Sequence, residues 1–184
     1  MLRWDWIAVA MLLASPDIAY GQDALFDAAG YRITRYRAPT RRPPEGVTRI
    51  APAAAALLRP DVDALFLDVL PAEGGHRQAD GRWRLAAPHE SIEGARWFPE
   101  GGQGAIASDA ERRFIRAMAR LTRGRREWPV VVFCRADCWL SWNAARRLHA
   151  LGYRRVWWLA EGTDGWRDMG LPLVPVAPEG GLAL

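Results

Sequence analysis

The chain contains no lysine, so all 25 of its basic residues are arginine, against 21 acidic residues and a formal net charge of +4. The arginines are scattered among acids and form no block of the kind that binds nucleic acid. We therefore expect no nucleic-acid partner. We interpret the positive charge as that of a solvated surface, which would weakly attract acidic partners or lipid headgroups.

Histidine and long apolar runs are also scarce. The three histidines, His76, His89 and His149, lack metal-ligand spacing such as HxxxH, so we expect no zinc site. A copper(I) site made of two thiolates and one histidine is chemically possible, but the spacing does not require it. Beyond residue 21, no run approaches the roughly 20 apolar residues of a membrane-spanning helix, so we expect no membrane span.

The first 21 residues have the pattern of a secretory signal peptide. Arg3 precedes an apolar run from Trp6 to Ala14, and this run is about half as long as a membrane span. The small residues Ala19 and Gly21 indicate cleavage before Gln22, with cleavage after Ala19 as the alternative. We therefore expect export and a periplasmic location.

The remaining chain divides into an extension, one domain and a short tail. The predicted segments are a signal peptide (1–21), an N-terminal extension (22–59), a domain (60–176) and a C-terminal tail (177–184). Within the extension, the alternating residues 31–36 predict an edge strand, and prolines then predict an extended connector. Residues 51–58 predict a short helix that ends before Pro60.

Three short apolar runs predict strands that are buried on both faces. They are residues 64–69, 129–133 and 156–159. Residues 71–107 are rich in glycine and predict mostly loop.

Two helices are predicted between and after these strands. One begins with Ser108 or Asp109 as its N-cap and runs to about Leu121. The other is capped by Ser141 and ends at Gly152, a left-handed C-cap. A turn and a short helix follow at 162–168. This alternation of strands and helices predicts an α/β fold with a parallel sheet flanked by helices.

Cys134 directly follows the second buried strand, where ligands bind in open α/β sheets. A helix that begins near Ser141 would direct the positive end of its dipole at this loop and favour a thiolate, a persulfide or an oxyanion. Arg135 and Arg146 would add positive charge, whereas Asp137 disfavours ionisation of the thiol. Alternatively, Cys134 is a small buried hydrophobic residue.

Cys138 lies four residues after Cys134, and neighbouring cysteines in an oxidising compartment tend to pair. On a helix their Cβ atoms would lie about 5 to 6 Å apart, whereas a disulfide needs roughly 3.5 to 4.5 Å. A bridge therefore requires a loop conformation. The sequence leaves open a redox or resolving pair, a static disulfide, and two thiols that never meet.

The sequence VVVFCRADCWLSWNAARRLHALGYRRVWWLAEGTDGWRDMGLPL, from Val130 to Leu173, resembles the active-site half of a rhodanese-like domain. Residues 66–69 and 92–99 resemble earlier parts of the same family, so the similarity covers about residues 60 to 174. It implies a parallel sheet of about five strands flanked by helices. It also implies that Cys134 accepts a sulfane sulfur and holds it as a persulfide among backbone amides.

The loop itself is similar to a narrower group, the rhodanese-like proteins named for pyrroloquinoline quinone (PQQ)-dependent catabolism and a CXXCW motif. The similarity rests on Cys134, Cys138 and Trp139 with residues 141–145, although three residues rather than two separate the cysteines here. It implies an indirect link to PQQ-dependent alcohol oxidation and assigns no cofactor to this chain. No arginine follows Arg135 in the loop, which argues against phosphate chemistry.

Three further side chains complete the predicted site. Trp139 and Trp142 flank the loop and are expected to shield the cysteine from water, with stacking on a planar ligand such as a quinone as the alternative. Asp68 ends the first buried strand at the same rim, where it either orders the loop or caps the strand.

Two functions follow from this interpretation. The first is a periplasmic accessory protein that performs sulfur transfer or thiol redox through a partly exposed Cys134, with Cys138 as the resolving thiol. Its partner would be a periplasmic protein or a small sulfur or thiol compound. The second is a non-catalytic module that holds a cofactor or partner and contains a structural Cys134–Cys138 disulfide.

Overall fold

The computed structural model describes residues 24–182, and the predicted signal peptide lies outside this range. A five-stranded parallel sheet forms its centre. In sheet order, the strands are β1 (Thr48–Arg49), β8 (Val156–Leu159), β7 (Val130–Phe133), β2 (Leu65–Asp68) and β6 (Arg96–Trp97). The predicted parallel sheet of an α/β fold is therefore confirmed.

Helices flank this sheet, and two small antiparallel pairs lie outside it. The helices are α1 (Pro52–Ala55), α2 (Ser108–Leu121), α3 (Trp139–Ala150) and α4 (Gly162–Asp168). The antiparallel pairs are β3 (His76–Arg77) with β4 (Trp83–Arg84), and β5 (Glu90–Ser91) with β9 (Val174–Pro175). Between residues 24 and 182, no helix is both long enough and apolar enough to cross a bilayer.

Alternate residues of the central strands face two separate cores. Leu67 and Val132 belong to the core that contains Phe114 of α2 and Leu148 of α3. The opposite core contains Phe66, Val131 and Phe133, with Trp166 of α4. Because the central strands are buried on both faces, their sequences are continuous apolar runs rather than alternating ones.

The prediction of an edge strand at residues 31–36 is wrong. This part of the extension lies against α3, where the Asn143 side chain accepts a hydrogen bond from the Arg32 amide (2.9 Å) and donates one to the Arg32 carbonyl (2.8 Å). These bonds occupy backbone groups that a neighbouring strand would have used. The sheet edge is formed instead by β1, in a region predicted to be a connector.

Both long helices begin without the predicted side-chain caps. Helix α2 begins at Ser108 after Ala107, and no side chain caps it. Helix α3 begins at Trp139, so that its N-cap residue is Cys138, three residues earlier than the predicted cap Ser141. At its other end Gly152 has a φ of 87°, which confirms the predicted left-handed C-cap.

Arg147 of α3 is only 3% exposed and joins this helix to the glycine-rich segment before α2. Its guanidinium donates hydrogen bonds to the carbonyls of Gly101 (2.7 Å), Gln103 (2.7 Å) and Gly104 (3.1 Å). It also lies 4.8 Å from the ring centre of Tyr31 in the extension. Burial lowers the pKa of Arg147 from its ordinary value. One buried cation therefore links three parts of the chain.

The substitution Arg147→Met should lower the free energy of unfolding by about 3 to 5 kcal/mol, because several buried carbonyls lose their donor. Urea denaturation measures this change. Arg146→Met is the matched control on the same helix, since Arg146 is more exposed and donates only to the Ala29 carbonyl. It should cost less than about 1 kcal/mol. Equal costs for the two variants would contradict the prediction.

Candidate functional site

Cys134 and Cys138 form a disulfide, with their Cα atoms 6.3 Å apart. The chain can bring the two residues together because Asp137 has a left-handed φ of 51° and Cys138 is extended. The bridge therefore forms in a loop conformation, as its spacing required. Of the three states considered for the cysteines, the structure excludes the one in which they never meet.

Both cysteines are buried, with Cys134 0% exposed and Cys138 2% exposed. They belong to the core on the α2 and α3 face of the sheet. The prediction that Cys134 is partly exposed, as a reactive thiol would be, is therefore wrong for this bridged form. The loop is buried because other parts of the chain cover it. Those parts are α4 on one side and the N-terminal extension on the other.

The first turn of α4 holds the loop from one side. The Thr163 amide donates a hydrogen bond to the Cys134 carbonyl (2.9 Å), and the Ala136 amide donates one to Asp164 Oδ2 (3.0 Å). Gly162 has a φ of 54°, and a Cβ atom at this position would clash with the Cys134 carbonyl. Only glycine allows α4 to approach the loop this closely.

The extension covers the loop from the other side through residues 36–38, which we name the cover segment. The Ala38 amide donates to the Asp137 carbonyl (3.0 Å), and the Trp139 amide donates to the Tyr36 carbonyl (2.8 Å). These two bonds form an antiparallel bridge centred on Cys138. The extension was predicted as a separate segment, and its contact with the cysteine loop was not foreseen.

The contacts on both sides use loop amides. The Ala136 amide is bonded to Asp164, and the Trp139 amide is bonded to Tyr36. A persulfide held by backbone amides needs such donors free. In the bridged form, therefore, at least these two amides are not available to a sulfur atom on Cys134.

The predicted tryptophans pack beneath the extension. The rings of Trp139 and Trp142 lie 5.2 Å apart, and Phe26 lies 5.4 Å from Trp139 in an edge-to-face arrangement. The Arg32 guanidinium lies 4.9 Å from the Trp139 ring centre, and the Trp142 indole N–H donates to the Arg42 carbonyl (2.9 Å). These contacts tie the start of α3 to the extension.

Ser141 is buried inside α3 and does not cap its start. Its hydroxyl donates to the Cys138 carbonyl (3.1 Å) and accepts a hydrogen bond from the Trp158 indole (3.0 Å). Ser141 therefore connects the second cysteine to strand β8, a role that the sequence did not indicate.

Asp68 is fully buried at the end of β2, but it forms no hydrogen bond to the cysteine loop. Its carboxylate accepts bonds from the Leu70 amide (2.8 Å) and the Ser91 hydroxyl (2.6 Å), and it lies 2.7 Å from His89 Nε2. Of the two predicted roles, this geometry matches capping of the strand end rather than ordering of the loop.

None of the three charged residues predicted near the site, Arg135, Arg146 and Asp137, forms a side-chain hydrogen bond to the cysteine loop. Arg135 forms an ion pair with Glu73 (3.1 Å). Arg146 donates to a carbonyl of the extension rather than to the loop. Asp137 is exposed and contributes its backbone carbonyl to the cover contact. Among the described residues, no group of three or more His, Cys, Asp or Glu side chains is placed to hold a metal ion.

The contribution of α4 was missed, because residues 162–168 were recognised only as a turn and a short helix. The order of the strands in the sheet could have indicated this contribution. Gly162 follows β8, which is the neighbour of β7, so both strands deliver their following residues to the same edge of the sheet.

The family model for the rhodanese-like domain matches residues 53–169, which is most of the chain. The chain belongs to the rhodanese-like domain family. No curated protein sequence matches it. The chain is similar to the solution structure of the 30 kDa polysulfide-sulfur transferase homodimer from Wolinella succinogenes, with 20% sequence identity and a TM-score of 0.46. That similarity covers 70% of this chain and 79% of the other.

The substitution Gly162→Ala should destabilise the protein by more than the 1 to 2 kcal/mol typical of a left-handed alanine, because the new methyl group also meets the Cys134 carbonyl. Gly152→Ala is the matched control, since Gly152 is also left-handed but a Cβ atom there would meet open space. Urea denaturation of both variants tests the difference. If Gly152→Ala lowers the free energy of unfolding by as much as Gly162→Ala, the close contact of α4 with the loop does not add to the cost of the substitution.

The substitution Ala38→Pro should expose the cysteine loop, because proline removes the amide that donates to the Asp137 carbonyl. After reduction, the two thiols should react several-fold faster with iodoacetamide than those of the unaltered protein. Ala38→Gly keeps the amide and should leave the rate near its original value. Equal rates for the proline and glycine variants would show that the cover segment does not limit access.

Proposed function

We propose that this protein is a sulfurtransferase-like thiol protein in which Cys134 accepts a sulfane sulfur and Cys138 resolves the resulting persulfide. The observation that carries the proposal is the bridge between a cysteine at the carboxyl end of β7 and a cysteine at the N-cap of α3. Membership of the rhodanese-like domain family supports sulfur as the transferred atom. The disulfide is the oxidised form of this pair.

The first step begins from the reduced pair. The Cys134 thiolate attacks the sulfane sulfur of a donor such as thiosulfate, and a new bond forms between this sulfur and Cys134 Sγ. The bond between the sulfane sulfur and the sulfonate breaks, and its electron pair leaves with sulfite. The sulfane sulfur remains on Cys134 as a persulfide.

In the second step Cys138 resolves the persulfide. Its thiolate attacks Cys134 Sγ, forming the disulfide, and sulfide leaves with the electron pair of the broken bond. The position of Cys138 at the start of α3 supports this role, because the positive end of the helix dipole favours a thiolate there. A thiol reductant must then regenerate the two cysteines, and it is oxidised to its own disulfide.

Access to the pair requires the cover segment to move, since both cysteines are buried beneath it. It is joined to the loop by the two main-chain hydrogen bonds of the bridge and by one from the Arg37 side chain to the Ala136 carbonyl (2.6 Å). Opening on this scale costs far less than global unfolding.

The proposed setting is the periplasm, supported by the signal-peptide pattern of residues 1–21. The similarity of Cys134, Cys138 and Trp139 to the CXXCW group supports an accessory role in PQQ-dependent alcohol catabolism. Fractionation of cells that express the full chain tests the location, and a cytoplasmic product with an intact N-terminus would overturn it.

The sulfur chemistry is tested with reduced protein, thiosulfate and mass spectrometry after alkylation. The variant Cys138→Ser should gain one sulfur atom on Cys134, because it lacks the resolving thiol. The unaltered protein should release sulfide and recover its disulfide. The matched variant Cys134→Ser should do neither.

Failure of Cys138→Ser to take up sulfur from thiosulfate or from a polysulfide would overturn sulfur transfer. A disulfide that also resists mild thiol reductants in the unaltered protein would then favour the second function, a binding module with a structural bridge. The burial of both cysteines beneath the extension is the observation that favours this alternative.

A further inference from the structure

Two chain segments outside the central sheet run side by side and enclose a groove. At one end, the Val176 amide donates to the His89 carbonyl (2.9 Å), and at the other the Trp83 amide donates to the Gly181 carbonyl (2.9 Å). Between these two hydrogen bonds the two segments separate and leave a groove of about 580 Å³. This volume lies within the range of small-molecule binding sites.

The lining of the groove is mostly apolar, with Leu85 on one wall and Val176 and Leu182 on the other. Two of the lining side chains are ionisable, Arg84 and His89. An apolar groove with a few converging polar groups is the usual composition of a site for a small organic ligand.

His89 is held in a fixed orientation. Its Nε2 atom lies 2.7 Å from the buried Asp68 carboxylate, and its ring lies over that of Trp97 with centres 4.0 Å apart. The side chain is only 11% exposed. Because Asp68 accepts a hydrogen bond from Nε2, the free nitrogen is Nδ1, which has no hydrogen-bond partner within residues 24–182. Nδ1 accepts a bond from a ligand hydroxyl or, in the charged ring, donates one to a ligand oxygen.

Arg84 supplies a cation that no residue from 24 to 182 neutralises. It is exposed and forms no ion pair with any residue of the described chain, whereas the nearby Arg82 is paired with Asp80 at 2.8 Å. An unpaired guanidinium beside an apolar wall is suited to an anionic oxygen group on an apolar body.

We propose that this groove binds a small amphipathic monoanion. Its apolar body would lie against Leu85 and Val176. Its carboxylate or similar oxyanion would be bound by Arg84 and would accept a hydrogen bond from Nδ1–H of His89 in its charged form. No residue that lines the groove belongs to the cysteine loop, and the proposal does not depend on the sulfur chemistry. Asp68 follows Phe66 on the α1 and α4 face of the sheet, whereas Cys134 belongs to the opposite core.

The probe is 2-naphthoate, titrated calorimetrically into the full chain, with neutral 2-naphthamide as a ligand of the same shape. We expect naphthoate to bind at least ten-fold more tightly than the amide. Arg84→Gln should remove most of that preference, and His89→Gln should weaken naphthoate binding. Arg82→Gln, the matched control, should leave both affinities unchanged. Ala87→Trp, which fills the groove, should abolish binding of both probes while the melting temperature confirms that the variant is folded.

Equal affinities for the acid and the amide would overturn recognition of an anion. Naphthoate binding that survives both Arg84→Gln and Ala87→Trp would place the ligand elsewhere on the protein and overturn the groove as its site. No detectable binding of naphthoate to the unaltered protein at millimolar concentration would also overturn the proposal.

Discussion

The loop from Cys134 to Cys138 is held between two sets of backbone hydrogen bonds, and the rest of the site depends on this arrangement. The Cys134 carbonyl is fixed by Thr163, at the start of α4, and the residues around Cys138 are paired with the cover segment. Because α4 contacts the loop on one side and the extension contacts it on the other, the loop cannot change its conformation without breaking one of these contacts. The same contacts bury the disulfide and occupy loop amides that a bound persulfide would need.

The central part of the fold was predictable because burial on both faces leaves a clear sequence pattern. Strands β2, β7 and β8 are continuous apolar runs, and the position of Cys134 follows directly from the end of β7. The edge strands were not predictable, since β1 and β6 contain two residues each and carry no periodicity. Residues 31–36 do alternate, but Arg32 is bonded to the Asn143 side chain, and the residues on either side of it are bonded to residues 25–27 of the extension rather than to the central sheet. Alternation alone does not identify the partner.

The cysteines illustrate the same distinction between local and long-range information. Their spacing showed that a bridge needs a loop conformation, and the left-handed Asp137 supplies it. Their burial depends on residues of the extension and of α4, which lie more than 20 positions away along the chain. No local sequence pattern predicts such contacts. The cover segment is joined to the loop by two main-chain hydrogen bonds and one from Arg37, so opening it would disrupt only a small part of the fold.

The cover segment pairs with the loop through main-chain atoms, and the Arg37 side chain adds a hydrogen bond to the Ala136 carbonyl (2.6 Å). Any extended peptide offers the same main-chain donors and acceptors. What distinguishes the cover segment is its tether, because a strand attached to the same chain acts at an effective concentration on the order of millimolar. A free peptide that replaces it must therefore either reach that concentration or add side-chain contacts of its own. Under the proposed function, the extension would therefore determine which partners reach the cysteines.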